Sequence, residues 1–353
     1  MKAVILVGGL GTRLRPLTLD TPKALVPVLN VAFLEHVLRR LAGFGIRDVV
    51  LAISHMAPAV ESCFGNGSRL GMNIRYVFEK TPLGTAGAAR NALGHISEAC
   101  LVMNGDIFTG LDISAMKAYH DIHCAKVTIA LTPVENPSSY GLVETREDGS
   151  VRSFLEKPSP SEITTNMINA GTYIVEPEVL AGISSDTQVS FERTVFPSLV
   201  PTNHIFAFVD KSYWIDIGTP AKYHQLNRDL LLGAARSVPM LTGSPVAGII
   251  HPSARLKGPV MVAAGAEIGQ NAVVTGPTII GPSCKVEEGS IVSDSIIWQN
   301  TMIGAGCVIE SSIVGCNCAL GQGSHFFACT IGSRISLPKG YWQTSGQIWP
   351  GLE

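Results

Sequence analysis

The sequence predicts an α/β domain with a mixed, mostly parallel sheet, followed by a solenoid of short strands. Over the first two thirds of the chain, apolar runs of strand length alternate with apolar residues at helical spacing, which is typical of βαβ units. From about residue 248, aliphatic residues recur every six positions instead. A chain of 353 residues is long enough for two cores. We therefore predict a first domain at 1–235, a linker at 236–248, a repeat domain at 249–345 and a tail at 346–353.

The composition limits the kinds of partner. The net charge is −2 and charged residues make up 15% of the chain, so no basic field attracts nucleic acid or an anionic membrane. No apolar run approaches the ~20 residues of a spanning helix, and the apolar start runs into glycines rather than a cleavage site. We expect a soluble, cytoplasmic protein that acts on small molecules. The eight cysteines include no Cys-x-x-Cys, so we interpret them as packing residues.

The most informative segment is Met1 to Pro27. Its first apolar run, Lys2 to Val7, is typical of a buried parallel strand. Three glycines and two cations follow: Gly8, Gly9, Gly11, Arg13 and Lys23. Glycines let backbone N–H groups approach a ligand closely, and the cations add positive charge, so this segment favours a cradle for a nucleotide triphosphate. The third glycine of the dinucleotide fingerprint and the Gly-Lys-Ser/Thr of a P-loop are both missing, and a plain Gly-Gly turn is the alternative.

Polar residues follow the predicted strands of the next hundred residues. The predicted elements are a helix at 30–44, a strand at 48–54, a helix at 59–64, a strand at 73–78, a helix capped by Thr85 and a strand at 99–103. Ligands of parallel sheets lie beyond the carboxyl ends of the strands. Glu79 and the turn Asn104-Gly105-Asp106 therefore fall at the expected ligand edge. The alternatives are a solvated Glu79 and a turn without function.

The second half of this domain predicts a helix at 115–123 and strands at 126–133, 140–144, 151–156, 167–174 and 214–217. Ser190 is expected to cap a helix at 191–199. Pro158 is expected to keep Lys157 extended. Asp216 is the one charge in an apolar alternation, which indicates either a site residue or a cap for a helix at 220–236.

Several motifs in order resemble one family. They are Gly8-Gly9, Gly11-Thr12-Arg13-Leu14, Pro16-Leu17-Thr18, Pro22-Lys23, Leu83-Gly84-Thr85, Tyr140 to Glu144, Glu156-Lys157-Pro158, Met167 to Ile174 and Trp214 to Pro220. The series resembles the sugar-1-phosphate nucleotidyltransferases, most closely the mannose-1-phosphate guanylyltransferases with a β-helical tail. The resemblance implies a Rossmann-like domain that joins a nucleoside triphosphate to a sugar 1-phosphate and releases pyrophosphate.

The same resemblance implies roles for individual residues. Catalysis is assigned to Arg13, Lys23 and Lys157; nucleotide binding to Val7, Gly8, Gly9, Gly11, Thr12, Glu79, Gly84 and Thr85; sugar-phosphate binding to Gly141, Glu156, Lys157 and Asn169; and Mg²⁺ binding to Asp106 and Asp216. A carboxylate at Glu79 can accept from two adjacent donors of guanine but from only one of uracil or thymine, which favours GTP. A dTTP- or UTP-dependent enzyme for glucose 1-phosphate and a silent regulatory subunit remain alternatives.

The repeat region carries aliphatic residues at a spacing of six, with single steps of five. They are Ile250, Leu256, Val262, Ile268, Val274, Ile280, Val286, Val292, Ile297, Ile303, Ile309, Val314, Leu320, Phe326, Ile331 and Leu337. Three short strands then make one coil with these side chains on its axis. The pattern resembles the left-handed parallel β-helix of hexapeptide-repeat proteins, and the handedness comes from that resemblance. We favour a platform for homo-oligomerisation over an acyltransferase that would use His251 or His325.

Overall fold

The structure is a computed structural model that describes residues 1–54, 56–235 and 246–351. Two compact units divide the chain: unit 1 comprises Met1–Gly9 and Val37–Ile215, and unit 2 comprises Leu10–His36 and everything from Asp216 onward. The predicted domain ranges follow the sequence pattern rather than this division, and they stay a prediction. Most of the predicted linker lies outside the described residues.

The first 235 residues form strands and helices in alternation. The strands are β1 (Ala3–Leu6), β2 (Pro27–Val28), β3 (Val31–Ala32), β4 (Asp48–Ile53), β5 (Asn73–Phe78), β6 (Cys100–Asn104), β7 (Ile107–Thr109), β8 (Val127–Pro133), β9 (Gly141–Thr145), β10 (Val151–Glu156), β11 (Met167–Val175), β12 (Ile205–Val209) and β13 (Trp214–Asp216). The helices are α1 (Phe33–Gly43), α2 (Ala57–Phe64), α3 (Gly84–Asn91), α4 (Ile113–Ile122), α5 (Pro177–Ala181), α6 (Phe196–Leu199) and α7 (Pro220–Leu231). Within the described ranges, none of the helices combines the length and the apolarity needed to cross a membrane.

Shorter helical turns complete this part of the chain. The 3₁₀ turns are Thr12–Leu14, Lys23–Leu25, Ser68–Leu70, Leu93–His95, Pro160–Glu162 and Val200–Thr202, and a π turn at Phe191–Val195 precedes α6. Ser190 caps this turn as predicted, because its hydroxyl accepts from the amides of Glu192 and Arg193.

Unit 1 is built on one mixed sheet. Its strands β5, β4, β1 and β6 are parallel neighbours in that order, and β11 joins β6 antiparallel. Strands β8 and β9 pair antiparallel with β11, β10 pairs antiparallel with β9, and β12 runs parallel to β8. The central residues Val4, Ile5 and Val102 are fully buried, as expected for strands covered on both faces. The predicted mixed sheet is confirmed.

Three local predictions are wrong. Helix α3 begins at Gly84, and Thr85 does not cap it, because the Thr85 hydroxyl bonds to Glu192 instead. Asp216 does not cap α7, because the hydroxyl of Thr219 accepts from the first turn of that helix. Lys157 is not extended: its φ is +51°, in the left-handed region. Thr85 is thus held by a residue distant in sequence, whereas α7 is capped by the residue directly before it.

Unit 2 contains an all-parallel solenoid. Its strands are β14 (Ile249–Ile250), β15 (Arg255–Lys257), β16 (Val260–Val262), β17 (Glu267–Ile268), β18 (Val273–Thr275), β19 (Thr278–Ile280), β20 (Lys285–Val286), β21 (Ile291–Ser293), β22 (Ile296–Ile297), β23 (Met302–Ile303), β24 (Val308–Glu310), β25 (Ile313–Val314), β26 (Ala319–Leu320), β27 (His325–Ile331), β28 (Ser336–Leu337) and β29 (Trp342–Ile348). Every predicted aliphatic position from Val262 to Leu337 is buried in one core, and Ile250 and Leu256 pack against it. This confirms the predicted parallel β-helix.

The steps of five residues set the length of each coil. Ile250 pairs with Ile268, eighteen residues later, whereas Ile303 pairs with Leu320, seventeen residues later. The shorter step removes one residue from a corner and leaves the axial side chains in register.

A ladder of small donors lines the inner corners of the β-helix. Each donates its hydroxyl or thiol to the carbonyl fourteen residues later, at 2.8 to 3.4 Å: Cys284, Ser290, Thr301, Cys307, Cys318, Ser324 and Cys329. A buried carbonyl without a partner would be costly. Four of the five cysteines of this region, all except Cys316, therefore occupy the same kind of position as serine and threonine.

An axial residue of the β-helix should contribute far more to the free energy of unfolding than its exposed neighbour does. Ile303 is fully buried, whereas Met302 in the same strand is 50% exposed. Ile303→Ala should lower the free energy of unfolding by about 2–5 kcal/mol, because a cavity replaces packed methyl groups. Met302→Ala should change it by less than about 0.5 kcal/mol. Urea unfolding of both variants measures this, and equal losses would contradict the assigned axis.

Candidate active site

The carboxyl edge of the unit 1 sheet brings two predicted segments side by side. Leu6 lies opposite Ala52 on one neighbouring strand and Asn104 on the other. The amide of Gly105 donates to the Leu6 carbonyl at 2.9 Å. A Cβ on Gly105 would lie 2.7 Å from that carbonyl oxygen, so only glycine fits without a shift. Asp106 therefore follows a residue packed against the end of β1, at the edge where ligands of such sheets lie.

Glu79 is held against the glycine loop. A Cβ on Gly8 would lie 2.7 Å from Glu79 Oε1, and Glu79 Oε2 accepts from the Leu83 amide at 3.1 Å. Burial raises the pKa of Glu79, and the Leu83 hydrogen bond opposes that shift. Ser54, which the sequence analysis missed, donates its hydroxyl to the Gly8 carbonyl at 2.7 Å. Its position directly after β4 was the available signal.

The segment Leu83-Gly84-Thr85 is fixed by Val189. The Val189 amide donates to the Leu83 carbonyl, and the amides of Ala86 and Gly87 donate to the Val189 carbonyl at 3.0 and 3.1 Å. Gly84 has a φ of +71°, and a Cβ there would lie 2.6 Å from the same carbonyl oxygen. Two amides of the first turn of α3 are thus used inside the protein.

Glu192 accepts hydrogen bonds from three hydroxyl groups of unit 1. Its carboxylate accepts from Thr85 Oγ1 at 2.7 Å, Ser190 Oγ at 2.6 Å and Tyr173 OH at 3.1 Å. Thr85 Oγ1 also accepts from the Phe191 amide at 2.9 Å. No local pattern indicates this cluster, because Thr85 and Glu192 are 107 residues apart. Glu192 is therefore a site residue that cannot be predicted from the sequence.

Asn169 is connected to the same carboxylate through Tyr173. The Asn169 amide donates to Tyr173 OH at 2.9 Å, and its oxygen accepts from the Gly171 amide at 2.9 Å. Tyr173 is fully buried, and burial raises its pKa well above the ordinary value. The phenol therefore stays protonated and donates to Glu192. This chain fixes the orientation of the Asn169 side chain and leaves one of its N–H groups for another acceptor.

Three of the four residues predicted to bind the sugar phosphate lie on β9, β10 and the turn after β10, and the fourth, Asn169, lies on β11. Glu156 pairs with Gly141 across the two strands, and a Cβ on Gly141 would lie 3.0 Å from Glu156 Oε2. Burial raises the pKa of Glu156, with a smaller contribution from Glu192, while Lys157 lowers it. The Lys157 amide donates to the Tyr140 carbonyl at 3.1 Å. A positive φ costs a side-chain-bearing residue about 1–2 kcal/mol, so this backbone is specifically held.

In unit 2, the predicted cations lie on two short turns. Arg13 belongs to the turn Thr12–Leu14 and is exposed, and Lys23 begins the turn Lys23–Leu25. Thr18 Oγ1 donates to the Gly11 carbonyl at 2.7 Å. A Cβ on Gly11 would lie 3.3 Å from Lys23 Cβ, so the loop folds back onto the stem of Lys23.

Asp216 forms the second cluster of unit 2. It is 8% exposed, accepts from the Gly218 amide at 3.1 Å and makes an ion pair with Lys222. A Cβ on Gly218 would lie 2.6 Å from Asp216 Oδ1 and 3.0 Å from Arg13 Nη2, so the Arg13 guanidinium and the Asp216 carboxylate both lie against Gly218. Lys222 is not predicted as a site residue, because a lysine in the first turn of a helix usually faces solvent.

Asp106 in unit 1 and Asp216 in unit 2 are each carboxylates, the type of oxygen donor that Mg²⁺ prefers. Across the described ranges, no three His, Cys, Asp or Glu side chains gather into a cage of their own.

Comparisons with known proteins agree over both parts of the chain. A family model described as "Nucleotidyl transferase" matches residues 2–232, and one described as "GMPPB C-terminal domain" matches residues 256–350. The chain is 40% identical over 299 residues to "Mannose-1-phosphate guanylyltransferase" of Mycobacterium tuberculosis, a match that covers 82% of each chain. It is 32% identical to "UTP--glucose-1-phosphate uridylyltransferase" of Synechocystis sp., over 86% of this chain and 84% of the relative. Among solved structures, HddC from Yersinia pseudotuberculosis complexed with GMP-PN is 31% identical with a TM-score of 0.57, covering 65% of this chain and 99% of the other.

Proposed function

The chain belongs to the nucleotidyl transferase family, and from that premise we propose that it transfers the guanylyl group of GTP to mannose 1-phosphate and releases pyrophosphate. It is a nucleotidyltransferase by family. The observation that carries the choice of nucleotide is the Glu79 carboxylate held beside Gly8 in unit 1. The mycobacterial relative supports the choice of sugar, because it is named for mannose 1-phosphate.

The proposed reaction is an in-line displacement at phosphorus. A phosphate oxygen of mannose 1-phosphate bonds to the α-phosphorus of GTP, while the bond from that phosphorus to the bridging oxygen of the β-phosphate breaks. The electron pair leaves with pyrophosphate. A phosphomonoester has a second pKa of about 6, so the nucleophile is ionised at neutral pH and needs no protein base. The chain therefore supplies positioning and charge neutralisation.

The proposed roles follow from charge and backbone geometry. Arg13 and Lys23 bind the triphosphate and neutralise the leaving pyrophosphate, with the backbone of the loop Val7, Gly8, Gly9, Gly11 and Thr12 as hydrogen-bond donor. Gly84 and Thr85 fix the wall beside the base. Lys157 binds the phosphate of the sugar, and Gly141, Glu156 and Asn169 surround its hydroxyl groups.

A divalent metal is part of the proposal. Members of the family generally use one, and we infer Mg²⁺ because the two donors are carboxylates. Asp106 and Asp216 would hold it, and Lys222 would then share Asp216 with it. When bound, such an ion polarises phosphate oxygens and neutralises developing charge.

Glu79 should set the preference for guanine. In Glu79→Gln one acceptor oxygen becomes a donor that faces the N–H groups of guanine. The ratio of kcat/KM for GTP to that for UTP should fall about tenfold or more, as expected when a buried polar group loses its partner. Initial rates of pyrophosphate release with each nucleotide measure the ratio. Glu135→Gln, at an exposed position, serves as the control.

The same carboxylate predicts a pH dependence. Burial raises the pKa of Glu79, so the ionised form that accepts from guanine is lost at a higher pH than for an ordinary glutamate. The KM for GTP should therefore rise as the pH falls through that raised pKa, and the KM for UTP should rise less. A GTP:UTP ratio that is unaffected by both the substitution and the pH would remove Glu79 from base recognition.

The Synechocystis relative supports a second candidate function, that of a uridylyltransferase for glucose 1-phosphate. The reverse reaction separates the two. The enzyme with pyrophosphate and Mg²⁺ should convert GDP-mannose to GTP and mannose 1-phosphate, and UDP-glucose should react more slowly. A faster reaction with UDP-glucose would select the alternative, and no reaction with either would favour a silent subunit.

Assembly and location complete the proposal. We infer a homo-oligomer formed through the β-helix, because Ile291, Phe327 and Trp342 expose large apolar surfaces on it. Light scattering of the purified chain tests this, and a monomer at micromolar concentration would contradict it. A cytoplasmic location, where nucleoside triphosphates are supplied, remains an inference from the sequence.

A further inference from the structure

We propose that the β-helix is a positioning element of the nucleotide site: Trp298 holds, through Tyr223, the backbone of the segment that carries Arg13 and Lys23. The inference rests on the proposed function for the roles of those two cations. Every residue of this hydrogen-bond network belongs to unit 2. Tyr223 and Trp298 are positioning residues, since neither is assigned a contact with substrate.

The central observation is a buried chain of hydrogen bonds. Trp298 of the β-helix donates its Nε1–H to Tyr223 OH at 2.9 Å, and Tyr223 on α7 donates its own proton to the Pro27 carbonyl. Tyr223 is fully buried and Trp298 is 3% exposed. Their rings meet edge to face, with centroids 6.2 Å apart. The phenol thus links a coil of the β-helix to the end of the segment that follows Lys23.

A second set of bonds fixes the turn directly after Pro27. Leu29 and Asn30 both have a positive φ, so this turn is one that side-chain-bearing residues rarely adopt. The buried Asn227 of α7 accepts from the Leu29 amide at 2.9 Å and donates to the Tyr223 carbonyl at 3.0 Å. Asn30 donates to the Ile280 carbonyl in β19 at 3.3 Å. The turn is therefore tied both to α7 and directly to the β-helix.

A third set holds the other end of the segment, close to Arg13. Gln347 in β29 donates to the Arg15 carbonyl at 3.1 Å, and Arg334 pairs with Asp20 at 2.5 Å. A Cβ on Gly332 would lie 3.1 Å from Pro16 Cβ, so the last coil packs closely against the loop. The segment from Arg15 to Asn30 is thus fastened at both ends to the β-helix, and Lys23 lies between these attachments.

The buried series of hydrogen bonds from Trp298 through Tyr223 should stabilise the segment more than the exposed ion pair of Arg334 with Asp20 does. Surface ion pairs contribute little because water screens them, whereas a buried carbonyl or indole N–H that loses its partner is not rehydrated. Burial also raises the pKa of Tyr223, so its hydroxyl keeps the proton that it donates. Tyr223→Phe removes only the oxygen and leaves both Trp298 Nε1 and the Pro27 carbonyl without that partner.

The test combines hydrogen–deuterium exchange with kinetics on the full chain. In Tyr223→Phe, amides of residues 10–30 should exchange at least about tenfold faster while the axial strands of the β-helix stay protected, and kcat/KM for GTP should fall about tenfold. Trp298→Phe should change both in the same direction. The double variant should show no faster exchange and no lower kcat/KM than Tyr223→Phe alone, because both side chains act through the same series of hydrogen bonds.

Tyr76→Phe is the matched control, because Tyr76 OH also donates to a backbone carbonyl, that of Gly65, in unit 1. It should leave exchange in residues 10–30 unchanged. Unchanged exchange there in Tyr223→Phe, or exchange that rises equally throughout the β-helix, would overturn the inference. The exchange measurement needs no substrate, so it decides the inference even if the wild-type chain fails to act on GTP and mannose 1-phosphate.

Discussion

Asp106→Asn is expected to lower kcat by about 100-fold or more while leaving the fold intact. Asparagine keeps the shape of the side chain and loses the charge that a divalent cation requires, and charge stabilisation of this kind is typically worth a factor of about 10²–10³. Pyrophosphate release at saturating GTP and mannose 1-phosphate gives kcat. A titration with Mg²⁺ should show a higher metal requirement in the variant.

Asp121→Asn is the matched control for this change. Asp121 is an exposed partner of Lys117 on α4 and has no role in the proposed reaction, so its kcat should stay within about twofold of wild type. Thermal unfolding of both variants checks that the fold is retained. Full activity of Asp106→Asn would refute the assignment of this carboxylate to the metal.

Arg13→Lys is expected to lower kcat/KM for the nucleotide by about 100-fold even though the positive charge is kept. The Arg13 guanidinium lies against Gly218, beside Asp216. Its planar group of N–H donors can bind two phosphate oxygens at once. A lysine ammonium at this position offers a point charge in a different place. Because Arg13 is exposed, the thermal stability should hardly change.

Arg47→Lys provides the corresponding control, since Arg47 is exposed and donates to the Gly71 carbonyl. Its kcat/KM should match the wild-type value. If Arg13→Lys were also as active as wild type, the site would need only a charge there, and the proposed two-point contact with phosphate would be wrong.

Local periodicity predicts much of the fold. The strands Asn73–Phe78 and Val151–Glu156 have the predicted bounds, because apolar residues and flanking turns define both ends. In the β-helix the spacing of six predicts which side chains are axial, and the steps of five predict the shorter coils. This works because each strand pairs with a copy of the same pattern one coil away.

Long-range contacts explain what the sequence did not predict. The sequence predicts that Thr85 caps a helix, but in the fold its hydroxyl donates to Glu192. The sequence predicts an extended Lys157, but in the fold its amide donates to the Tyr140 carbonyl. In each case a residue distant in sequence or in a neighbouring turn supplies a stronger bond than the local preference.

The division into compact units had no sequence signal either. Residues 10–36 follow β1 directly and carry the family motif, yet they belong to the unit that contains the β-helix. Contacts that join this segment to the rest of unit 2, such as Tyr223 with Pro27 and Gln347 with Arg15, connect residues 196 and 332 positions apart. Patterns of neighbouring residues contain no information on such pairs.

The central claim is the reaction itself, and a matrix of substrates tests it most directly. Pyrophosphate release is measured for GTP, UTP, dTTP and ATP, each with mannose 1-phosphate and glucose 1-phosphate in the presence of Mg²⁺. The account predicts the highest kcat/KM for GTP with mannose 1-phosphate. A higher value for any other pair, or no release from any pair, would contradict it.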